Sequence, residues 1–391
     1  MAHDFDIAIV GAGPVGAAVA IALRDAGLSV ALVEARSDAA ISDDARTLAM
    51  SYGSRLILDR LGIWGRIASA TPITSIHVSQ RGGFGRTVLD AAEACLPALG
   101  YVVRYAALQR AFGAALRETP ATLMTGTAVT GITATDDDIS IEYKKGEEAG
   151  SIAARLMVIA DGGGLAGLQA GAEIKTRDYD QHALVGLVAT SRPHTHRAFE
   201  RFTPDGPVAL LPFEDRYALI WTATPEIAQR LNALSPDEFL PRLQRHFGDR
   251  AGRFESIEAR ARFPLALRYA ADPVQARAVM LGNAAQSLHP IAGQGFNLGL
   301  RDAWELADIL FRHSFQDSAR DPGRDACLAR YRNVRRPDRM RGIALTHSLV
   351  KIFSNDVGPL RATRGAALSL LGLFPPAKRA FMQRMIFGAS R

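Results

Sequence analysis

"DIAIVGAGPVGAAVAIALRDAGLSVALVEAR", residues 6–36, decides the fold. Ile7, Ala8, Ile9 and Val10 form an unbroken apolar run, the pattern of a parallel strand covered on both faces. Gly11, Gly13 and Gly16 then match G-x-G-x-x-G. The first glycine permits a tight turn, the second lets a pyrophosphate approach the backbone, and the third lets helix and strand pack closely. A helix starting there aims unpaired amides and its positive dipole end at phosphate oxygens. Gly27 is placed to end it in a left-handed conformation. Residues 29–33 read as a second strand closed by Glu34, whose carboxylate can accept from both hydroxyls of an adenosine ribose. Strand, turn, helix, strand and terminal acid in register predict a dinucleotide site. A ligand-free glycine corner leaves Glu34 unexplained. The pattern does not separate NAD from FAD.

A chain of 391 residues accommodates two or three domains, or one large domain with an insertion. Its 48% hydrophobic and 22% charged residues suit a soluble globular protein with a sizeable core. Residues 7–23 carry no charge, but three glycines, a proline and the missing basic flank argue against a signal peptide or a bilayer span. Cys95 and Cys327 lack metal or redox spacing and suit a reducing cytoplasm, and no His/Cys cluster points to a metal. The net charge of +6 is uneven: residues 331–391 hold 12 Lys+Arg against 2 Asp+Glu, or +10, which leaves −4 elsewhere. A basic tail on a slightly acidic body results. Without a recognised nucleic-acid module, the charge does not argue for DNA or RNA.

Two further glycine-rich turns follow apolar strands. Residues 120–160 alternate as short strands around Val129, 139–143 and 152–159, and the last runs into Asp161-Gly162. "VMLGNAAQSLHPIAGQGFNLGLRDAWELA", residues 279–307, sets Gly282-Asn283, His289-Pro290 and Gly293-Gln294-Gly295 between an apolar run and a helix beginning near Phe296. Between roughly 176 and 268, "HALVGLVATS", "AFERFTPDGPVALLPF" and "YALIWTAT" alternate as antiparallel strands with turns at Asp205-Gly206 and Glu214-Asp215. Such a sheet can wall a substrate pocket. Phe202, Leu211, Phe213 and Trp221 are candidates for its lining and equally for core packing.

Three glycine turns at residues 11, 161 and 282 resemble the flavoprotein aromatic hydroxylases built like para-hydroxybenzoate hydroxylase. "GNAAQSLHPIAGQGFNLGLRD", "RAFERFTPDGPVALLP" (197–212) and "DARTLAMSYGSRLILDRLGIW" (44–64) narrow this to the ubiquinone-biosynthesis, UbiH-type group over nearly the whole chain. The resemblance implies an α/β fold: a discontinuous, three-layer Rossmann-like FAD-binding domain (residues 1–175 and 269–330), with part of the substrate wall near 72–104. It further implies an inserted antiparallel sheet (176–268) and a basic helical region (331–391).

The resemblance also implies FAD as cofactor, NADH or NADPH as reductant and O2 as co-substrate. The activity is hydroxylation of a polyprenylated phenol through a flavin hydroperoxide. Chemistry of this kind rests on the cofactor, with the protein supplying binding, orientation and field. It assigns the FAD diphosphate to the first turn, and flavin and pyridine nucleotide contacts to Asp161 and Gly162. Gly282, Asn283, Gly293, Gln294, Gly295 and Asn297 take the ribityl chain and ring. Asn283 stands where most members carry aspartate, and its amide still bonds hydroxyls without a buried charge.

Pro290 is assigned to the reactive face, and His289 either orients substrate and relays a proton or merely holds the turn. Arg46 reaches the cofactor, unless it pairs with Asp43 or Asp44; Val129 offers its amide to adenine, and Arg104 touches the cofactor. "DGGGLAGLQAG" lacks the serine and arginine that usually follow the Asp-Gly motif. In the tail, Phe381, Met382, Met385 and Ile386 share one helical face. That face can lie on an anionic bilayer at the inner membrane surface, cover the pocket, or contact another subunit or a ubiquinone-biosynthesis complex. Two other readings remain open at this level: a hydroxylase of a small soluble aromatic, and a catalytically silent flavin-binding component.

Overall fold

The computed structural model describes residues 3–37, 46–167, 172–204, 206–316, 321–353 and 358–388. The opening apolar run forms strand Phe5–Val10, the buried centre of a mainly parallel sheet. Val30–Glu34 and Glu148–Ile159 flank it in parallel, and Thr122–Thr125 and Ala278–Met280 extend it outward on either side. The chain therefore returns to this sheet after more than a hundred residues, so the sheet is built from discontinuous segments. An antiparallel flap, Thr127–Ala134 with Ile139–Lys145, continues from Glu148–Ile159.

Helix Pro14–Ala22 starts at the glycine turn with proline at its first position, where the missing N–H costs nothing. It ends at Ala22, and Gly27, with φ +66°, closes the turns that follow. The helix packs with Tyr105–Leu116 and Gln294–Gln316 over the sheet in one apolar core.

A second, mostly antiparallel sheet runs Gln286–Ser287, Phe254–Ala270, Ile174–Thr190, Arg216–Ala223, Val208–Phe213, Arg197–Phe202, Ser75–Gln80 and Arg86–Asp90. Helices Pro225–Ala233 and Pro236–Phe247 cover its outer face, where Leu184, Trp221 and Phe239 are buried. Glu214 turns the Val208–Phe213 hairpin with φ +53°; Asp205, expected at the other turn, lies outside the described residues. A small sheet, Thr47–Ser51, Gly100–Arg104 and Ala70–Ile73, packs on the antiparallel sheet through Ile73 and Val102 and joins the helical core through Met50 and Val103.

Helices Asp325–Phe353, Gly358–Leu373 and Pro375–Phe387 complete the chain. The apolar face of the last one is not free. Met382 and Ile386 are buried against Leu89 and Leu99, with Phe381 packed beside them. The face expected as a bilayer candidate is therefore used within the protein. Among the described residues no helix is long and apolar enough to cross a membrane.

Candidate active site

The carboxyl ends of the central strands open on a cleft of about 610 Å3. Its lining includes Gly11, Gly13, Asp161, Gly162, Gly282 and Asn283. Glu34, Arg46, Val129 and Gly295 line it as well. All three glycine turns therefore converge on one space. Glu34 and Gly282 stand at the ends of strands three spacings apart in the sheet order, roughly 14 Å at the usual inter-strand distance. An elongated ligand is needed to touch both.

The turns are also packed on each other. A Cβ on Gly16 would collide with the Gly11 carbonyl oxygen, so helix and turn can approach only with glycine there. Val15 follows two residues after Gly13 and lies where a Cβ on Gly282 would meet its methyl at 3.1 Å. A Cβ on Gly299 would come within 2.9 Å of the Gly282 Cα. The first and last glycine turns are thus locked through Val15.

Gly13 and Gly295 behave differently. Among the described residues an added Cβ at either position would meet no atom within 4 Å, and neither backbone is left-handed. Nothing among the described residues requires glycine at these two places, and both line the cleft, where a bound ligand would use the room. Gly13 caps its helix without a side-chain bond, and the second helix begins beside it at Gln294–Phe296, so two dipole ends face the same space. One suits a diphosphate, the other a ring that gains negative charge. The residues fit an FAD.

Glu34 is held ready. Its carboxylate accepts from the Ala12 amide at 2.8 Å and from the Arg36 amide and Nε, each at 3.0 Å. Burial works against its charge, but these bonds outweigh it and keep the carboxyl below its usual value. Asp161 binds its own loop, accepting from Gly163 N at 3.0 Å and Leu165 N at 2.6 Å. Arg46 lies over the rings of Tyr105 and Phe263 at 5.3 and 5.7 Å. Its proposed partners Asp43 and Asp44 fall outside the described residues. Arg36, Tyr105 and Phe296 also line the cleft and were missed in the sequence. Only Arg36 carried a signal there, a cation two residues after the ribose acid.

Several expectations are corrected. Asn297 does not open on the cleft: its carbonyl oxygen accepts from Ser51 N at 2.8 Å and Ser54 Oγ at 2.7 Å, while its amide donates to Gly293 O at 2.6 Å. It braces the loop rather than facing a ligand. Gln294 is turned to the Met385 carbonyl at 3.4 Å, and Gly293 makes the bend with φ +59°. Arg104 points to Glu214 at 3.4 Å and over Phe213 at 5.0 Å, while its neighbour Tyr105 takes the cleft position. Trp221 sits on the outer face of the large antiparallel sheet, 5.8 Å from the Phe239 ring, beside a separate cavity of about 220 Å3. Strand alternation sends it away from the cofactor side.

Phe202, Leu211 and Phe213 lie on the inner face instead. Phe202 stacks on Phe353 at 3.8 Å and packs with Ile291, one residue past Pro290. Leu211 and Phe213 pack with Ile73 and Val102 of the small sheet. His289 is 1% exposed, its Nδ1 accepts from the Ile291 amide at 3.1 Å, and its ring meets Tyr179 edge-on at 5.6 Å. Burial pushes its pKa down to about 4, so the ring is neutral at pH 7 and suited to holding the turn rather than donating a proton.

Behind this loop a buried ion network ties the Gln294–Gln316 helix to Asp325–Phe353. Asp302 accepts from Arg335 Nε at 2.8 Å and Gln286 Nε2 at 2.6 Å, and Asp338 bonds Arg301 and Arg335, both at 2.8 Å.

This geometry agrees with the comparisons. Residues 4–342 match the FAD binding domain family. The ubiquinone hydroxylase UbiL of Rhodospirillum rubrum is 35% identical over 97% of this chain and 88% of its own length. The 3-demethoxyubiquinol 3-hydroxylase of Escherichia coli is 33% identical over 93% of each. Among solved structures, p-nitrophenol 4-monooxygenase PnpA of Pseudomonas putida superposes with a TM-score of 0.78 over 99% of both chains at 19% identity, which shows a shared fold. The chain belongs to the family of FAD-dependent monooxygenases that carry this FAD binding domain. Within it, the chain falls in the group of the ubiquinone-biosynthesis hydroxylases.

Proposed function

We propose that the protein uses FAD, reduced by NADH or NADPH, to insert one atom of O2 into a polyprenylated phenol of ubiquinone biosynthesis. The observation that carries this reading is that all three glycine turns line one cleft, with Gly13 and Gly295 opening onto it where no described protein atom would meet an added Cβ. Glu34 would take the adenosine ribose, the first helix terminus the diphosphate, and Asn283 with the second terminus the ribityl chain and ring. The flavin supplies oxygen activation; the chain's own residues bind, orient and exclude water. Pro290, with Phe202 packed behind the adjoining Ile291, would border the space where the phenol meets the ring.

A prenyl tail needs an apolar route to a bilayer. Leu370, Leu373 and Phe374 are 63, 77 and 65% exposed at the end of the Gly358–Leu373 helix, and Phe84 lies against Gly365 of the same helix. With the surrounding basic tail, this edge suits peripheral contact with an anionic membrane. Liposome co-sedimentation checks it, with retention in the supernatant as the contrary result. For the reaction, complementation of ubiquinone-deficient cells with mass spectrometry of the accumulated intermediate is decisive. Restored ubiquinone supports the assignment; an unchanged intermediate pool in cells making folded, flavin-loaded protein rejects it.

A further inference from the structure

Strand Arg197–Phe202 presents alternate residues to opposite sides of the large antiparallel sheet. Phe199 faces outward, with its ring 5.6 Å from Phe247 under the covering helices. Ala198 and Phe202 face inward: Ala198 packs with Phe213 and Val102, and Phe202 with Ile291 and Phe353. Glu200 lies between those two on the same inner face, flanked across the sheet by Val78 and Ala209. It is thus a carboxylate set among apolar neighbours, on the wall that looks toward the His289-Pro290 loop.

No hydrogen bond or ion pair holds Glu200 among the described residues, and it keeps partial accessibility although protein atoms enclose it. Residual accessibility on a group so enclosed is what a carboxylate facing an internal space would show. An unpartnered carboxylate there is costly to the fold unless something in that space uses it.

We infer that Glu200 is the catalytic group that accepts the phenolic hydroxyl of the substrate and removes its proton. The inference rests on the hydroxylase reading above. In the step, the phenolic O–H bond breaks and an O–H bond forms on the Glu200 carboxylate. The electron pair stays on the phenolic oxygen, where it enriches the ring for attack on an electrophilic oxygen; no oxidant or reductant is consumed in the transfer.

Burial alone pushes the Glu200 carboxyl up to about 7. The titratable and charged groups on the packed elements leave it in that state. His289 is neutral, and Tyr179 is raised above its ordinary value by burial. His347 bonds Tyr179, and Lys351 is exposed at the edge of its helix. Arg104 is engaged with Glu214, and Arg364 is buried on the neighbouring helix. Arg197 and Arg201 follow the opposite parity of the strand. The base is therefore ready only above neutral pH.

The test uses FAD-loaded protein, with 4-nitrophenol as a chromogenic binding probe and a short-chain prenylated phenol as substrate. Wild type should bind the probe as phenolate with a limb near pH 7, and kcat should rise through the same limb. Glu200→Gln, nearly isosteric, should lose the kcat limb, leave the probe to its own ionisation on a curve displaced from wild type, and lower kcat about 100-fold or more at pH 8 with little change in KM. Glu200→Asp should restore part of each. A Gln variant with wild-type pH profile and probe spectrum overturns the inference, as does a wild type whose bound probe never ionises. Flavin content separates the two levels. Flavin-loaded wild type that hydroxylates phenols while the Gln variant does so equally defeats Glu200 alone. Flavin-loaded protein that hydroxylates no phenol defeats the functional reading with it.

Discussion

Asp302 offers a sharp test of how the ring end of the cleft is held. It is 1% exposed, as is Arg335, whose Nε and Nη2 lie 2.8 and 2.7 Å from one carboxylate oxygen. The other oxygen accepts from Gln286 at 2.6 Å, and the Gln286 carbonyl accepts from Arg339 at 2.8 Å. Burial opposes the Arg335 charge, but Asp302 and then Asp338 outweigh it and raise its pKa. In Asp302→Asn the amide oxygen can still face Arg335, but the NH2 must then meet the Gln286 NH2. Gln286 cannot flip to relieve this without abandoning Arg339. Three guanidinium groups, of Arg301, Arg335 and Arg339, would also be left with Asp338 as the remaining carboxylate of the network.

Breaking a buried pair of this kind costs about 3–5 kcal/mol, a large part of a usual folding stability. Because Gln286 lies three residues past Asn283, flavin retention should fall as well. Urea denaturation of the apoprotein measures the loss, with Glu118→Gln as control. Glu118 faces Arg66 with two contacts of 2.7 Å, but in the open, where solvent screens the pair. The Asn variant should shift the midpoint strongly and the control hardly at all. Equal shifts would refute the reasoning from burial.

Two other perturbations follow from the same packing. Gly299→Ala puts a methyl within 2.9 Å of the Gly282 Cα, a backbone atom that cannot swing aside, so thermal stability and flavin content should fall together; an unchanged flavin yield would show that the two turns are not locked there. His289→Asn keeps an acceptor for the Ile291 amide but removes a titrating group. Its folded pKa of about 4 lies below the unfolded value of about 6.5, so His289 contributes stability present above pH 6.5 and lost as pH falls toward 4, by about 3 kcal/mol at most. His246, pushed down to about 4 by burial and then by Arg81 and Arg201, acts in the same window. The variant should therefore reduce the acid-side fall in melting temperature between pH 7 and 5, and an identical fall in both proteins would contradict the assignment.

The parts of the site legible in the sequence are those fixed by local backbone chemistry. Gly11, Gly13 and Gly16 specify a turn that permits close approach, and Glu34 ends the strand beside it whatever the rest of the chain does. Gly282, Asn283 and Gly295 follow from the same logic. Side-chain direction was less accessible. Asn297 sits one helical turn past Gly293 and bonds that carbonyl, and its other partners, Ser51 and Ser54, lie some 240 residues away in sequence. Trp221 and Glu200 both sit in strands of alternating character, and which parity faces the cofactor is decided by how that sheet packs on the small one. The apolar stripe of Pro375–Phe387 was visible, but its partners Leu89 and Leu99 come from a distant hairpin and strand end.

The most direct measurement is equilibrium titration of the apoprotein with FAD, FMN and ADP in wild type, Glu34→Ala, Gly13→Ala and Gly295→Ala. Neither glycine substitution meets a described protein atom within 4 Å, so both variants should fold as stably as wild type. FAD affinity should drop at least about tenfold in all three, the equivalent of about 1.4 kcal/mol. FMN should sense Gly295→Ala but not Glu34→Ala, and ADP should show the reverse. Unaltered FAD binding in Gly295→Ala, alongside weakened binding in Gly13→Ala, would contradict a single cofactor spanning both turns.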